Sequence, residues 1–367
     1  MKIGIITIID STNYGNRLQN YAVTKILQNY GCEVMTLDLH NEKPYVNRKY
    51  ILWLKIQMLR FICNFPRIAE KRFGNEITRW ANFVKWNSLI PIKKLYNMGS
   101  LPRYLNNKYD FFFAGSDQIW NYNFASKKFN DYFLQFAEKR KRVAICASFG
   151  VDKIPDNWKK EYQERLNGFT FISVREESGQ TLVKELIGKE VPVLIDPTMM
   201  LDRNDWLKTA KTPRVDCSRP YILKYYLGDK TDDKKIDIWA HNNGFKIYEL
   251  LNSNIPELYS AGPGEFISLI NNASMICSDS FHCIVFSIIF NKPFIAYARQ
   301  GRGNNMSSRF DTLLKKFGFE NRWNYLLSED QYLECDYTFA CTVLKREKDY
   351  FNRYISKVLN GKKSGKI

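Results

Sequence analysis

The chain of 367 residues contains no C-x-x-C pair, although it holds 8 cysteines. Cys32, Cys63, Cys146, Cys217, Cys277, Cys283, Cys335 and Cys341 are scattered and mostly flanked by apolar residues. That pattern argues against a zinc site and fits small core residues in a reducing compartment. No metal is expected. No apolar run reaches the roughly 20 residues that a membrane-spanning helix needs. The opening MKIGIITII lacks a basic leader and a small-residue cleavage site, so it reads as a first strand rather than a signal peptide. A cytoplasmic location is expected, with attachment at the inner face of the membrane as a variant of it. RNP, zinc-finger and helix-turn-helix signatures are all missing, so nucleic acid is not expected as a partner. Acid is the scarcer charge: Lys+Arg number 55 against Asp+Glu 38, a net charge of +17. Such a surplus favours anionic partners without choosing among them.

What is present suffices for two domains, with 45% hydrophobic and 15% aromatic residues. The first half alternates strands and helices. Lys2–Ile9 reads as a strand, Arg17–Tyr30 as a helix through Leu18, Ala22, Ile26 and Leu27, and Glu33–Leu39 as a second strand, with Gly31 closing the helix. Between them lies Asn13-Tyr14-Gly15-Asn16-Arg17, which lacks the G-x-G-x-x-G nucleotide pattern and is either a polar ligand loop or a structural turn. Residues 48–95 read as a helical, basic and aromatic insertion with no clear strand. Its Arg48–Arg72 stretch either packs on its own domain or lies on an anionic membrane surface. The strand Asp110–Ala114 runs into Gly115-Ser116-Asp117-Gln118-Ile119-Trp120-Asn121, where Ser116, Asp117 and Asn121 offer polar contacts. Strands follow at Arg142–Ala147 and Phe169–Val174. Arg175, at the corner into the next helix, pairs either with a ligand's carboxylate or phosphate or with a neighbouring glutamate. Val191–Thr198 reads as the last strand of this half, and a hinge is expected there.

The second half repeats the alternation, with strands at Tyr221–Tyr226 and Phe245–Glu249 and helices near Asp232–Asn242 and Glu265–Asn271. It centres on Cys277–Phe294: a buried strand, the turn Ser278-Asp279-Ser280, an apolar helix from Phe281, and a further strand from Phe294. His282 falls in the first turn of that helix. In open α/β sheets ligands sit where a strand's carboxyl end meets a helix, and the free N–H groups there suit an anion. Position alone leaves His282 either a structural helix-start residue or a functional one. His40 and His241 have no motif around them and are taken as structural. Met306-Ser307-Ser308-Arg309 opens another helix, and a basic helix over Tyr337–Leu359 precedes a Lys/Gly tail. The expected fold class is α/β, with two Rossmann-like doubly wound domains facing across a cleft. The expected division is residues 1–196 (with the insertion at 48–95), 197–335, and 336–367 as a C-terminal helix and tail.

Seven stretches, in this order and spacing, resemble the polysaccharide pyruvyl transferase family: NYGNRLQNYA (13–22), FAGSDQIWN (113–121), ASFG (147–150), SVREESG (173–179), DPTMML (196–201), SDSFHCIVFSIIFNKPF (278–294) and MSSRF (306–310). The resemblance implies a GT-B-like fold with the active site between its halves. It implies phosphoenolpyruvate as donor, a sugar or polyprenyl-diphosphate-linked oligosaccharide with two hydroxyls as acceptor, and no cofactor or metal. The product would be a pyruvate ketal on a capsule, exopolysaccharide or cell-wall glycan, with phosphate released. By the same resemblance His282 is the acid/base or a phosphate contact, and Arg175 holds the donor's anionic end. Asp117 is a second acid/base or orients the acceptor, and Ser280, Ser116, Asn13, Tyr14, Gly15, Arg17, Asn121 and Arg309 complete the binding set. Many family members read Arg-x-His where this chain reads Ser280-Phe281-His282. The replacement cation is sought among Arg309, Arg302, Lys292 and Arg17, with Arg309 preferred because it also opens a helix. Two other readings stand beside this one. The first is a glycosyltransferase of the same fold using a nucleotide-sugar, with a donor reader at residues 262–265. The second is a non-catalytic module binding glycan or membrane.

Overall fold

The computed structural model describes residues 1–10, 12–40, 67–96, 100–124, 129–229, 233–300 and 307–361. Its first half is built on five parallel strands: β1 (Lys2–Ile6), β2 (Glu33–His40), β3 (Ile92–Tyr96), β4 (Phe111–Asp117) and β5 (Arg142–Ala147), in the order β3-β2-β1-β4-β5. The second half has four: β6 (Tyr221–Tyr225), β7 (Lys246–Glu249), β8 (Met275–Ser278) and β9 (Phe294–Ala296), in the order β7-β6-β8-β9 and again parallel. Parallel strands covered on both faces read as unbroken apolar runs, and the fully buried β4 and β5 behave so. Among the described residues, helices of nine residues or more are α1 (Tyr14–Asn29), α2 (Arg67–Asn87), α3 (Asp156–Leu166), α4 (Glu177–Ile187), α5 (Lys234–Asn242), α6 (Pro263–Asn272), α7 (Phe281–Ile289), α8 (Ser307–Phe317) and α9 (Thr338–Gly361). The expected doubly wound α/β architecture is present in both halves.

Two local expectations change. The insertion does contain a strand: β3 pairs with β2 from Thr36↔Ile92 to His40↔Tyr96. Its Lys93 and Lys94 obscure it in the sequence, yet lysines are what an edge strand tolerates. Conversely, Phe169–Val174 and Val191–Thr198 are not full strands. They extend the sheet only through single bridges, Val143↔Phe171, Ala147↔Val174 and Val174↔Val193. Pro192 has no N–H to give to a ladder, which keeps the outermost pairing short.

The halves are joined by a shared core rather than a bare hinge. Tyr14 of α1 stacks on Phe266 of α6 with ring centroids 4.4 Å apart. Tyr21 meets Trp206 at 5.5 Å, and Trp206 meets Phe286 of α7 at 4.9 Å. Across this seam α2 acts as a strut. Arg79 donates to the Tyr14 hydroxyl (2.8 Å), Thr12 O (2.9 Å), Tyr259 O (3.1 Å) and Ala261 O (3.3 Å). The membrane reading rests on Arg48–Arg72; residues 48–66 lie outside the described residues, while α2 buries Phe83 and Trp86 within the protein. The last helix, α9, runs back to the first sheet, where the Tyr354 hydroxyl donates to Ala144 O at 2.8 Å. No helix among the described residues is long and apolar enough to cross a membrane. Cys32, Cys146, Cys277 and Cys283 are buried without disulfides, and burial pushes the Cys283 thiol up to about 12.

Candidate active site

Each sheet reverses its winding once. In the first, β1 and β4 lie side by side while their connections run to opposite sides; in the second, β6 and β8 do the same. A crevice opens beyond the carboxyl ends of such strand pairs. The two crevices face each other here and form one cavity of about 350 Å³. Its first-half wall is Ile8, Asp10, Asn13, Gly15, Asn16, Asp117, Gln118, Ile119 and Tyr132; its second-half wall is Leu227, Ser280, Phe281, His282, Arg299 and Arg309. The N-termini of α1, α7 and α8 all reach this region, so their dipoles and free N–H groups favour negative charge there.

The first wall is stitched to its sheet by amides. Asn13 caps α1 by accepting from Asn16 N at 3.1 Å. Gln19 donates to Thr7 Oγ1 (2.8 Å) at the end of β1 and accepts from Ser116 N (3.1 Å) near the end of β4. Asp117 stands at φ +85°, a left-handed conformation that Asp tolerates better than most residues. Its carboxylate accepts from Asn16 Nδ2 and, at 2.8 Å, from Gln118 N, while Arg175 Nη2 lies 3.5 Å away.

Two buried aspartates stand behind the second wall, Asp279 from its own half and Asp196 from the end of the first. Asp279 joins the ends of β6 and β8 by accepting from Leu227 N (2.7 Å) and Gly228 N (2.8 Å), and Arg299 Nε stands 3.8 Å from it. Asp196 lies behind His282, its Oδ2 3.5 Å from His282 Nε2. Thr198 gives Asp196 Oδ1 its N–H (2.9 Å) and its hydroxyl (2.6 Å), and Arg175 Nη1 reaches Oδ2 at 2.7 Å. Burial alone would raise this carboxyl, but His282, Arg175 and Thr198 outweigh it and hold Asp196 well below the usual carboxylate range. The other face of the imidazole lies on Gly15: a Cβ built there would be 2.2 Å from His282 Nδ1. Arg309 is buried, with its guanidinium 5.4 Å from the Phe281 ring. Turned with its oxygen toward Arg309, the Gln118 amide accepts from Nη1 and Nη2 at 2.8 and 2.5 Å. Burial, then the like charge of Arg175, lowers Arg309 to about 10, so it remains a cation at neutral pH.

The structure thus brings His282, Asp117, Ser280, Asn13, Gly15 and Arg309 to one cavity. Five expected binding residues lie behind its walls instead. Tyr14 is sealed in the seam between the halves, its hydroxyl donating to Ala261 O at 2.7 Å. Arg17 is fully buried and donates to Ile8 O at 3.0 Å. Ser116 is buried within β4, Asn121 is buried with its Oδ1 accepting from Asn123 N at 2.9 Å, and Arg175 is closed in beneath Phe281. Of the proposed replacement cations, Arg309 lines the cavity, whereas Lys292 lies past the far end of α7, which runs about 10 Å beyond His282. Arg302 lies outside the described residues. His241 is on the exposed end of α5, away from the cavity. Sequence reasoning missed Asp196 and Arg299. Asp196 was visible within the DPT stretch, whereas a lone arginine after a strand carries no signal of its own. Among the described residues no group of three His, Cys, Asp or Glu side chains gathers as a metal site would require.

A family model for polysaccharide pyruvyl transferases matches residues 13–301. The chain belongs to that family. The match runs from the cap of α1 to just past Arg299, and Arg309 lies beyond it. Compared with curated proteins, the chain matches none. Among solved structures it is similar to MurG of Acinetobacter baumannii, with 8% identity, TM-score 0.42, and 98% of this chain and 99% of that one covered. It is also similar to a UDP-GlcNAc 2-epimerase from Neisseria meningitidis bound to UDP-GlcNAc, with 10% identity, TM-score 0.46, and coverage of 97% and 100%. A putative UDP-N-acetylglucosamine 2-epimerase from Listeria monocytogenes gives 9% identity, TM-score 0.47, and 94% of each chain.

Proposed function

We propose that this enzyme transfers the enolpyruvyl group of phosphoenolpyruvate to two hydroxyls of a sugar in a bacterial surface polysaccharide or its lipid-linked precursor, forming a pyruvate ketal. The observation that carries this reading is the second wall of the cavity. A histidine backed by a buried aspartate stands at a helix N-terminus, beside Arg299 and Arg309. Phosphoenolpyruvate has two anionic groups to anchor and one carbon to protonate, and that wall offers both kinds of partner.

The reaction needs a proton carrier. Protonation of the donor's methylene carbon accompanies addition of the first hydroxyl oxygen to the neighbouring carbon. Phosphate departs as its C–O bond breaks, and the second hydroxyl closes the ketal. Of the two hydroxyl protons, one ends on the new methyl group and the other leaves with phosphate. His282, steadied by Asp196, gives the first proton and recovers one from a hydroxyl. Asp117 already accepts from Asn16 and Gln118 and lies 3.5 Å from the Arg175 cation, which suits it to accept from and orient an acceptor hydroxyl rather than to shuttle protons. The net charge of +17 agrees with an anionic carrier on the acceptor and with an anionic membrane surface nearby.

The nucleotide-sugar alternative placed a donor reader at residues 262–265. That turn closes on itself, with Glu265 Oε2 accepting from Gly262 N at 3.1 Å. It also packs on the first half, where a Cβ at Gly262 would be 2.9 Å from Asn82 Cβ. The deciding measurement is phosphate release from phosphoenolpyruvate with lipid-linked oligosaccharide acceptors, comparing wild type with His282→Ala. Acceptor-dependent release that falls at least 100-fold in the variant supports transfer. No release with any acceptor, together with thermal stabilisation by a nucleotide-sugar, refutes it.

A further inference from the structure

Arg175 looks, from the sequence, like a hand for the donor's anionic end. Its surroundings give it a different task. The side chain is 1% exposed, and its guanidinium lies 4.7 Å from the Phe281 ring, which stands between it and the cavity. One nitrogen, Nη1, donates to Asp196 Oδ2 at 2.7 Å; the other, Nη2, is 3.5 Å from Asp117 Oδ1. Asp196 Oδ2 is also the atom nearest His282 Nε2, at 3.5 Å. One planar cation therefore spans the carboxylate behind the histidine and the carboxylate in the opposite wall.

We infer that Arg175 is a positioning residue, which fixes His282 (through Asp196) and Asp117 at one separation across the cavity and touches no substrate. This rests on the pyruvyl-transfer reading and deepens it.

Three physical points support the assignment. First, three acceptor positions of Asp196 are filled, by Thr198 N and Oγ1 on Oδ1 and by Arg175 Nη1 on Oδ2, and His282 Nε2 stands 3.5 Å from that same Oδ2. A carboxylate has about four such positions, so rotating it toward any one partner loses another. Second, a guanidinium presents its nitrogens as a rigid fork and bridges two carboxylates at a set distance, which an ammonium on a flexible stem does not. Third, the cluster is dense in charge. The charges of Asp196, Asp117 and Glu176 act on Arg175, while Arg309 stands by the same Phe281 ring and His282 by the same Asp196. Although burial works against it, these carboxylates raise Arg175 above its ordinary value, so the bridge is permanently charged.

A residue that holds the donor and one that holds the machinery fail differently. With Arg175→Lys in the full chain, kcat for acceptor-dependent phosphate release is expected to fall about 100-fold or more, with KM for phosphoenolpyruvate within about threefold of wild type. A KM raised tenfold or more with kcat largely kept would make Arg175 a donor ligand and overturn the inference. A second measurement needs no turnover. The chain has only 3 histidines, so selectively labelled imidazoles give a readable NMR spectrum, with His282 assigned by its loss in His282→Ala. Asp117→Asn is expected to move the His282 signals, and to move them by less than half as much in an Arg175→Lys background. An equal displacement in both backgrounds shows that Arg175 does not link the two groups and overturns the inference. If wild type releases no phosphate at all, the proposed reaction fails, while the imidazole spectra still decide whether the bridge exists.

Discussion

Gly15→Ala adds a single methyl group at the one place where the two walls touch through the imidazole. The new carbon would lie 2.2 Å from His282 Nδ1, 2.7 Å from Cε1 and 2.8 Å from Cγ. Ordinary contact begins near 3.4 Å, so the ring must retreat by about 1.2 Å. The backbone at Gly15 is outside the left-handed region, so the restriction is space alone. In stability the effect is small: a gain of up to about 1 kcal/mol from replacing glycine in a helix offsets part of an overpacking cost of about 1–3 kcal/mol. The melting temperature should drop by no more than ~5 °C. Catalysis is another matter, since a displacement of about 1 Å costs on the order of 100-fold in rate. Acceptor-dependent phosphate release should therefore lose ~100-fold in kcat while the melting curve barely moves. Gly74→Ala is the control: it lies in α2 with nothing within 4 Å of its added carbon, and should leave the rate unchanged. If Gly15→Ala keeps kcat within threefold of wild type, His282 is not held where the reaction needs it and the site assignment is wrong.

The strut and the buried aspartate can be tested by stability alone. Arg79→Ala strands the carbonyls of Thr12, Tyr259 and Ala261 and the Tyr14 hydroxyl, and should cost about 3 kcal/mol, seen by calorimetry as a melting point lowered by ~5 °C; an unchanged melting point would show that α2 does not brace the halves. Asp196→Asn breaks a buried charge cluster and should cost about 3 kcal/mol or more at pH 7. Because the folded protein holds Asp196 below its unfolded value of about 4, the carboxylate's contribution is complete above that pH and is lost as pH falls toward the folded value. Urea midpoints should therefore show a constant gap between wild type and variant from pH 7 to about 5 that narrows below about 4, and a gap that widens on acidification would contradict the assignment.

The sheet strands, the loop at the end of β1 and the helix carrying His282 were legible because buried parallel strands and apolar helix faces write their period directly into the sequence. The cavity residues at strand ends followed from the same logic, since polar groups clustered after apolar runs have few structural uses. What was not legible depended on three-dimensional closure. Tyr14 and Arg17 sit in a helix whose first turn is read as a loop, and only the packing of α6 against α1 shows Tyr14 to be a seam residue. Arg175 was read with its sequence neighbours, the glutamates, whereas its partners come from β4 and the 196–198 turn, 58 and 21 residues away in sequence. The strand β3 was hidden by two lysines that an edge position permits.

The aromatic seam has a further consequence for how such enzymes can be recombined. Tyr14 and Tyr21 belong to the first half, Phe266, Trp206 and Phe286 to the second, and their rings interleave. A chimera that joins the first half of one relative to the second half of another must match these rings as a set, because each half alone presents a large apolar face with no partner of the right shape. Exchange of whole halves between relatives is therefore constrained by this packing, on rings that do not line the cavity.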